Sequence, residues 1–246
     1  MNTPACVMVT GASRGIGRAC CDLLASHDIH TVSLSRTPPA CIPDTETHYP
    51  IDLGDLPATM ALVRTILKTH LIDGVVCNAG RGDIGSLENF SAQQIHQSIL
   101  FNLISPLSLV RECLPHLRSR SRSNIVFIGS TSALQGARYG TVYSAAKFGL
   151  RGVAQALTHE VASANCHVGI VNPGSVSTDF FNELDFEPGP EPSHSLQAND
   201  VAHSVLQLLR SPDNAVVSEI NVQPRQHVIR KRPAANSAQD DPERNN

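Results

Sequence analysis

Short apolar runs rich in β-branched residues alternate along the chain with segments in which apolar residues recur at helical spacing. Seven such runs are predicted to be strands: 5–10, 30–35, 48–51, 74–77, 124–128, 167–171 and 216–222. A helical stripe begins at Ile16, and further helices are predicted at 56–69, 92–102, 107–118, 143–163 and 200–209. This alternation predicts a parallel sheet with helices on both faces. We therefore expect one doubly wound α/β domain of about seven parallel strands over residues 1–229.

Two segments depart from this alternation. Residues 179–198 contain Pro188, Pro190 and Pro192 among acidic residues, which predicts a mobile loop that closes over substrate as a lid. Residues 230–246 are polar and of mixed charge, which predicts a disordered tail.

Composition narrows the classes of partner. The formal net charge of −3 gives no basic character that would favour nucleic acid, and no apolar run is long enough to span a bilayer. A strand-like run begins almost at once, without the layout of a signal peptide. The seven cysteines are scattered and include no CxxC pair, which predicts free thiols in the cytoplasm. The histidines lack metal-ligand spacing, so we expect no metal.

The first predicted strand runs into a glycine loop, residues 10–17, with the sequence Thr-Gly-Ala-Ser-Arg-Gly-Ile-Gly. The spacing of Gly11, Gly15 and Gly17 differs from the common G-x-G-x-x-G pattern, but the physical use is the same. Glycine lets the backbone approach a pyrophosphate closely, and the N-terminus of the next helix attracts the anion. The alternative is a plain glycine turn, which the strand–loop–helix context disfavours.

This loop resembles the cofactor motif of the classical short-chain dehydrogenase/reductase family. Four further markers follow in that family's order: Asn78-Ala79-Gly80, Asn102, the set Ser130, Tyr143 and Lys147, and Asn172-Pro173-Gly174 with Thr178. The resemblance covers residues 5 to about 222. It implies a Rossmann fold, a nicotinamide cofactor, a small carbonyl or alcohol substrate, and a homodimer or homotetramer formed by helices at 102–120 and 143–163. The residues expected to bind the cofactor are Gly11, Ser13, Arg14, Gly15, Ile16, Gly17, Arg36, Asp52, Leu53, Asn78, Ala79, Gly80, Tyr143, Lys147, Pro173, Gly174, Val176 and Thr178.

The expected catalytic residues combine a phenol with a cation. Tyr143 and Lys147 are four residues apart, so both lie on one face of the predicted helix. An ammonium group favours the phenolate and lowers the pKa of the tyrosine, which would then act as general acid or base. Ser130 follows a strand and is expected to hold the substrate oxygen, with Ser132 as the rival candidate.

Asn102 has two interpretations. The family resemblance implies that it holds a water molecule that links Lys147 to solvent. Alternatively, it caps the end of its helix, since Pro106 follows soon after.

Two arginines favour NADP(H) over NAD(H). The second strand ends in Ser35-Arg36, where an NAD-dependent protein carries an acid, and the next acid is Asp44. Arg14 adds a second cation in the glycine loop, although both arginines could simply face solvent. Asp52 resembles the residue that binds the adenine, but it could equally cap the next turn.

The sequence thus predicts an NADP(H)-dependent carbonyl reductase or alcohol dehydrogenase. The alternative is an NADP(H)-binding sensor without turnover, because a fold alone does not establish catalysis. Within enzymes, a 3-oxoacyl-type reductase and a hydroxy-acid or general ketone reductase remain open. The pocket is expected near residues 80–84, 133–139 and 179–198. The Arg81-Gly82-Asp83 string lies in a loop and is given no weight as an adhesion motif.

Overall fold

The computed structural model describes residues 3–182, 184–212 and 214–232. These residues form nine strands: β1 (Cys6–Thr10), β2 (His30–Ser35), β3 (Glu46–Pro50), β4 (Gly74–Cys77), β5 (Ser123–Ile128), β6 (Cys166–Pro173), β7 (Phe186–Pro188), β8 (Glu219–Val222) and β9 (Ile229–Lys231). Seven of them make one parallel sheet in the order β3-β2-β1-β4-β5-β6-β8. The predicted doubly wound, seven-stranded Rossmann fold is confirmed.

Helices cover both faces of this sheet. They are α1 (Gly15–Ala25), α2 (Leu56–Thr69), α3 (Ala92–Ile99), α4 (Ser105–Arg118), α5 (Thr141–Glu160) and α6 (Ala198–Leu209). Successive residues of a strand point to opposite faces. Val7 and Val9 of β1 therefore pack on the side of α1 and α6, whereas Met8 packs on the side of α2, α4 and α5. Within the described residues, no helix combines the length and apolarity needed to cross a membrane.

The strand order reverses beside β1, which lies between β2 and β4. In such sheets the ligand binds outside the carboxyl ends of the strands at the reversal. The glycine loop leaves β1 at this edge, residues 78–80 follow β4, Ser130 follows β5, and residues 174–178 follow β6. The topology alone therefore brings the predicted site residues to one edge of the sheet.

The segments 179–198 and 230–232 contain local structure. The former, predicted to be a mobile loop, contains 3₁₀ turns at Asp179–Phe181 and Pro192–His194 and the strand β7. β7 pairs in antiparallel fashion with β9, so the start of the predicted disordered tail is a strand. Ion pairs stabilise this pairing of strands, because the carboxylate of Glu187 accepts hydrogen bonds from both Arg230 and Arg232. Residues 233–246 of the predicted tail lie outside the described part of the chain.

Candidate active site

The glycine loop is shaped by close backbone approach. Gly11 and Gly15 adopt positive φ angles of 67° and 59°, which favour glycine because side chains are strained there. A Cβ atom on Gly11 would lie 2.9 Å from the Cα of Ala79. A Cβ on Gly17 would overlap the carbonyl oxygen of Gly11 and lie 2.5 Å from Nδ2 of Asn78. The loop therefore has no room for side chains at positions 11 and 17.

Thr10 and Asn78 hold this loop against the chain that leaves β4. The hydroxyl of Thr10 accepts hydrogen bonds from the backbone N–H groups of Asn78 (3.0 Å) and Ala79 (3.1 Å). In return, Nδ2 of Asn78 donates to the carbonyl oxygens of Thr10 (2.9 Å) and Gly11 (3.1 Å). The Asn78 side chain is thus committed to shaping the loop.

The N-terminus of α1 fits the phosphates of a dinucleotide. No side chain of the described residues caps this helix at Arg14, so its first N–H groups remain available to an anion. Thr178 lies opposite, with its Cγ2 atom 3.5 Å from the position of a Cβ on Gly15. Ser13 and Ile16 belong to the same loop, between Gly11 and Gly17. The fold therefore brings the first and last predicted cofactor motifs face to face.

The residues before Thr178 are fixed by the neighbouring strand. The backbone N–H of Gly174 donates to the carbonyl oxygen of Val222 (2.8 Å), and Pro173 ends β6. Val176 is buried and bridges to Leu196. Contacts with the sheet therefore hold these predicted cofactor-binding residues in place.

The two predicted phosphate-binding arginines have different surroundings. Arg36 is exposed directly after β2, close to Leu34, whose carbonyl oxygen accepts a 2.7 Å hydrogen bond from the N–H of Gly11. Arg14 is also exposed but forms a 3.4 Å ion pair with Asp179. Arg36 lies at the strand end that carries the selectivity residue in such folds.

Asp52 is engaged in a turn. Its Oδ1 atom accepts a 2.9 Å hydrogen bond from the N–H of Gly54, which matches the capping interpretation. Leu53 is buried, and its carbonyl oxygen accepts a 2.7 Å hydrogen bond from the hydroxyl of Ser105. Both residues therefore have structural roles that do not depend on a bound cofactor.

Tyr143 and Lys147 lie buried on α5 beside the end of β5. Ser130 lies close enough to the Tyr143 hydroxyl to lower its pKa. Ser130 also accepts a 3.0 Å hydrogen bond from the N–H of Ser132, so the backbone of the rival candidate orients Ser130. The ammonium group of Lys147 lies 5.7 Å from the centre of the Tyr143 ring and donates to the carbonyl oxygen of Ile128 (2.9 Å).

The protonation of this pair differs from prediction. Burial raises the pKa of Tyr143 to about 12, and the nearby Ser130 only partly offsets that rise. Burial also lowers the pKa of Lys147 to about 8. The predicted lowering of the pKa of Tyr143 by Lys147 is therefore not found. At neutral pH the tyrosine is a phenol, and it lies near an ammonium group that is costly to bury.

Asn102 lies inside a helix, not at its end. A π-helical segment, Leu100–Ile104, joins α3 directly to α4, so the capping interpretation is wrong. The Oδ1 atom of Asn102 accepts from the N–H of Arg81 (3.1 Å), and its Nδ2 atom donates to the carbonyl oxygen of Ser98 (3.1 Å). A Cβ on Gly80 would lie 3.1 Å from this Oδ1 atom and 3.5 Å from Nζ of Lys147. Asn102, Gly80 and Lys147 therefore converge, as expected where π segments mark functional sites.

Comparison with known proteins agrees with this geometry. The sequence profile of the short chain dehydrogenase family matches residues 5–188. The chain belongs to this family. A 3-ketodihydrosphingosine reductase from Bacteroides thetaiotaomicron is 27% identical over 177 residues, which cover 72% of this chain and 66% of that protein. A sepiapterin reductase from Chlorobaculum tepidum is 26% identical over 238 residues, which cover 89% of this chain and 95% of that protein.

Solved structures show the same fold. An alcohol dehydrogenase from the archaeon Thermococcus sibiricus, complexed with 5-hydroxy-NADP, is 22% identical. The match covers 94% of this chain and 99% of that one, with a TM-score of 0.78. As a short-chain dehydrogenase, the protein is an oxidoreductase of a family that uses a nicotinamide cofactor.

An aromatic side chain covers the tyrosine of this short-chain dehydrogenase. The ring of Phe180 lies 6.1 Å from that of Tyr143. A Cβ on Gly82 would lie 2.5 Å from Cζ of Phe180, so the ring rests on the glycine backbone. Sequence reasoning named Phe180 as part of the lid but missed Gly82 as the surface under it.

Segment 179–198 of this dehydrogenase, predicted to be a lid, is tied to the segment 226–232. Arg232 donates to Oε2 of Glu187 (3.3 Å) and to the carbonyl oxygen of Asn182 (2.7 Å). Nearer α6, the ring of His194 contacts the side-chain oxygen of Gln226 at 3.2 Å. The lid therefore has polar anchors at both ends, which its own composition does not reveal.

Proposed function

We propose that this short-chain dehydrogenase is an NADP(H)-dependent oxidoreductase that transfers a hydride between the nicotinamide and a carbonyl or alcohol substrate. The observation that carries the proposal is the grouping of Ser130 and Tyr143 beside Lys147 at the edge of the sheet where the glycine loop lies. An acid, a hydrogen-bond donor and a buried cation are the groups that carbonyl reduction requires of a protein.

The residues divide the work between binding and proton transfer. Ser130 and Tyr143 hold the substrate oxygen between their hydroxyl groups, where negative charge develops during reduction. Tyr143 donates its proton to that oxygen, and the raised pKa keeps it in the donating form at neutral pH. Lys147, whose pKa burial lowers to about 8, replaces the proton that the tyrosine gives up, and the neighbouring Asn102 supports that path. The bound nicotinamide supplies or accepts the hydride.

The choice of NADP(H) rests on charge. Arg36 is exposed directly after β2 and can approach a 2′-phosphate. Arg14 adds a second cation and belongs to the glycine loop that receives the pyrophosphate. Arg14 must share its charge between that phosphate and Asp179, so Arg36 is the principal determinant in this proposal.

Reduction is the direction that the phenol supports, and both relatives described above carry the name of a reductase. We further propose a homodimer or homotetramer, supported by two apolar side chains, Leu107 on α4 and Phe148 on α5, which are 42% and 44% exposed. Cysteine usage supports a cytoplasmic location, since all seven cysteines are free thiols.

The proposal is tested by steady-state oxidation of NADPH and NADH with a panel of aldehydes and ketones. We expect turnover of at least one carbonyl, with NADPH as the better donor. Tight NADPH binding without turnover of any carbonyl would contradict catalysis and support the sensor alternative. Turnover with NADH alone would overturn the cofactor assignment.

A further inference from the structure

The segment 80–85 crosses the substrate side of the site between two fixed points. At its start, the N–H of Arg81 donates to Oδ1 of Asn102. At its end, the N–H of Gly85 donates to the carbonyl oxygen of Tyr139 at 2.7 Å. Tyr139 stands four residues before Tyr143 and holds a positive φ of 60°, a strained conformation for a bulky residue. The segment is therefore pinned across the site.

Asp83 lies in the middle of this pinned segment, next to the glycine that supports Phe180. Its carboxylate is 20% exposed and pairs with Arg81 through Oδ2 at 2.9 Å. Among the described residues, no group donates a hydrogen bond to its other oxygen, Oδ1. A shielded carboxylate thus retains an unused acceptor close to the aromatic pair Phe180 and Tyr143.

The negative charge of Asp83 reaches the reacting hydroxyl. Together with burial, it raises the pKa of Tyr143. Arg81 pairs with this carboxylate at 2.9 Å, and its own side chain is 45% exposed. A carboxylate next to the substrate carbonyl would bring a second negative charge near the same hydroxyl.

We propose that Asp83 is a specificity-determining residue of the substrate pocket. Its free oxygen accepts a hydrogen bond from a hydroxyl or N–H group adjacent to the substrate carbonyl, and its charge excludes substrates that carry a carboxylate there. Phe180 supplies a flat apolar wall, so the favoured class is neutral or cationic carbonyl compounds with a planar apolar body and a nearby hydrogen-bond donor. The inference rests on the proposed function and disfavours the 2-oxo-acid and hydroxy-acid classes of substrate.

Three phenyl ketones that differ only beside the carbonyl provide the test. They are acetophenone, phenacyl alcohol with a hydroxyl donor, and benzoylformate with a carboxylate. We expect kcat/KM with NADPH to fall in the order phenacyl alcohol, acetophenone, benzoylformate. One hydrogen bond to a charged group corresponds to about tenfold or more in this ratio.

Variants at position 83 separate charge from hydrogen bonding. Asp83→Asn keeps an acceptor but loses the charge, so kcat/KM for benzoylformate should rise about tenfold relative to acetophenone. Asp83→Ala should also abolish the advantage of phenacyl alcohol. Asp44→Asn, an exposed carboxylate in the loop after β2, is the matched control and should leave all three ratios unchanged. Melting temperature and NADPH affinity show whether each variant is folded.

Failure of this inference is distinguishable from failure of the proposed function. Turnover of these ketones with ratios that Asp83→Asn does not change would overturn the role of Asp83 and leave the oxidoreductase proposal intact. Absence of any carbonyl turnover would remove the proposed function. In that case, calorimetric titration with benzamidinium and benzoate in the presence of NADPH still tests Asp83. Weaker benzamidinium binding by Asp83→Asn supports the charge selection, and equal binding contradicts it.

Discussion

The cofactor side and the substrate side of the active site differ in the atoms that hold them. On the cofactor side, the glycine loop is fixed by backbone contacts and by Thr10 and Asn78, with no room for a Cβ at Gly11 or Gly17. On the proposed substrate side, segment 179–198 is held by partly exposed ion pairs of Glu187 and by the packing of Phe180 on Gly82.

This difference separates what must stay constant from what can vary. Overlaps with backbone atoms leave few alternatives, so the cofactor side demands particular residues. Ion pairs near the surface contribute little each and are easily replaced, so the lid can change with the substrate.

The largest effect is expected at the junction of the two sides. Tyr143→Phe removes the proton donor and should lower kcat by about 10²–10⁴-fold, since this is the usual contribution of general acid catalysis. NADPH affinity should change by only a few fold. Steady-state kinetics and fluorescence titration measure the two quantities. A variant with nearly normal kcat on a good substrate would show that another group delivers the proton.

Cofactor choice should respond strongly to one charge. Wild-type kcat/KM should favour NADPH by about tenfold or more, because one arginine–phosphate contact supplies about 1.5–3 kcal/mol. Arg36→Asp loses this attraction and adds repulsion, so the preference should shrink or invert. The kcat/KM values for NADPH and NADH are compared in the wild type and in Arg36→Asp at low ionic strength. Equal preference in both proteins would place Arg36 outside the cofactor site.

The close packing of the glycine loop can be tested without a cofactor. Gly17→Ala forces a Cβ onto Gly11 and Asn78, so the free energy of unfolding should fall by about 1–3 kcal/mol. Gly152→Ala is the matched control, because Gly152 lies in α5 with open space around it. It should raise stability by up to about 1 kcal/mol. Urea denaturation measures both, and two equal stabilities would refute the packing argument.

The smallest effect is expected at the lid anchor. Arg232→Ala removes contacts to Glu187 and Asn182, and a surface pair of about 0–1 kcal/mol corresponds to at most about a fivefold rise in KM. Amide hydrogen exchange over 184–198 should become faster. Bound cofactor and substrate should reduce the difference in exchange rate between the variant and the wild type. Lys231→Ala, at the exposed neighbouring position in β9, serves as control. Unchanged exchange in the arginine variant would show that the strand pairing alone orders the lid.

The features that depend on local sequence patterns were predicted best. Strand and helix periodicity gave the parallel sheet, and the spacing of Tyr143 and Lys147 placed both on one helix, because side-chain direction follows from backbone geometry. Strand ends were less accurate: β3 begins at Glu46 and not at His48, and β8 begins at Glu219 and not at Val216.

Features that depend on distant residues were not predicted. The pairing of β7 with β9 joins segments far apart in sequence, and no local signal in 230–232 indicates a partner. The pKa of Tyr143 depends on burial by elements from several parts of the chain, whereas the sequence pattern shows only its neighbour Lys147. Asp83 lay within the predicted pocket range 80–84 but received no role there, since its proposed role depends on the fixed ends of its segment.

The pairing of β7 with β9 also has a consequence for biosynthesis. Glu187 and Arg230 are 43 residues apart, and ribosomes add about 5–20 residues per second. The second strand of the lid is therefore made about 2–9 s after the first. During that interval the nascent chain already contains its glycine loop and Tyr143 but lacks the strand that holds the lid in place. The second strand beside the proposed lid is thus synthesised several seconds after the glycine loop and Tyr143.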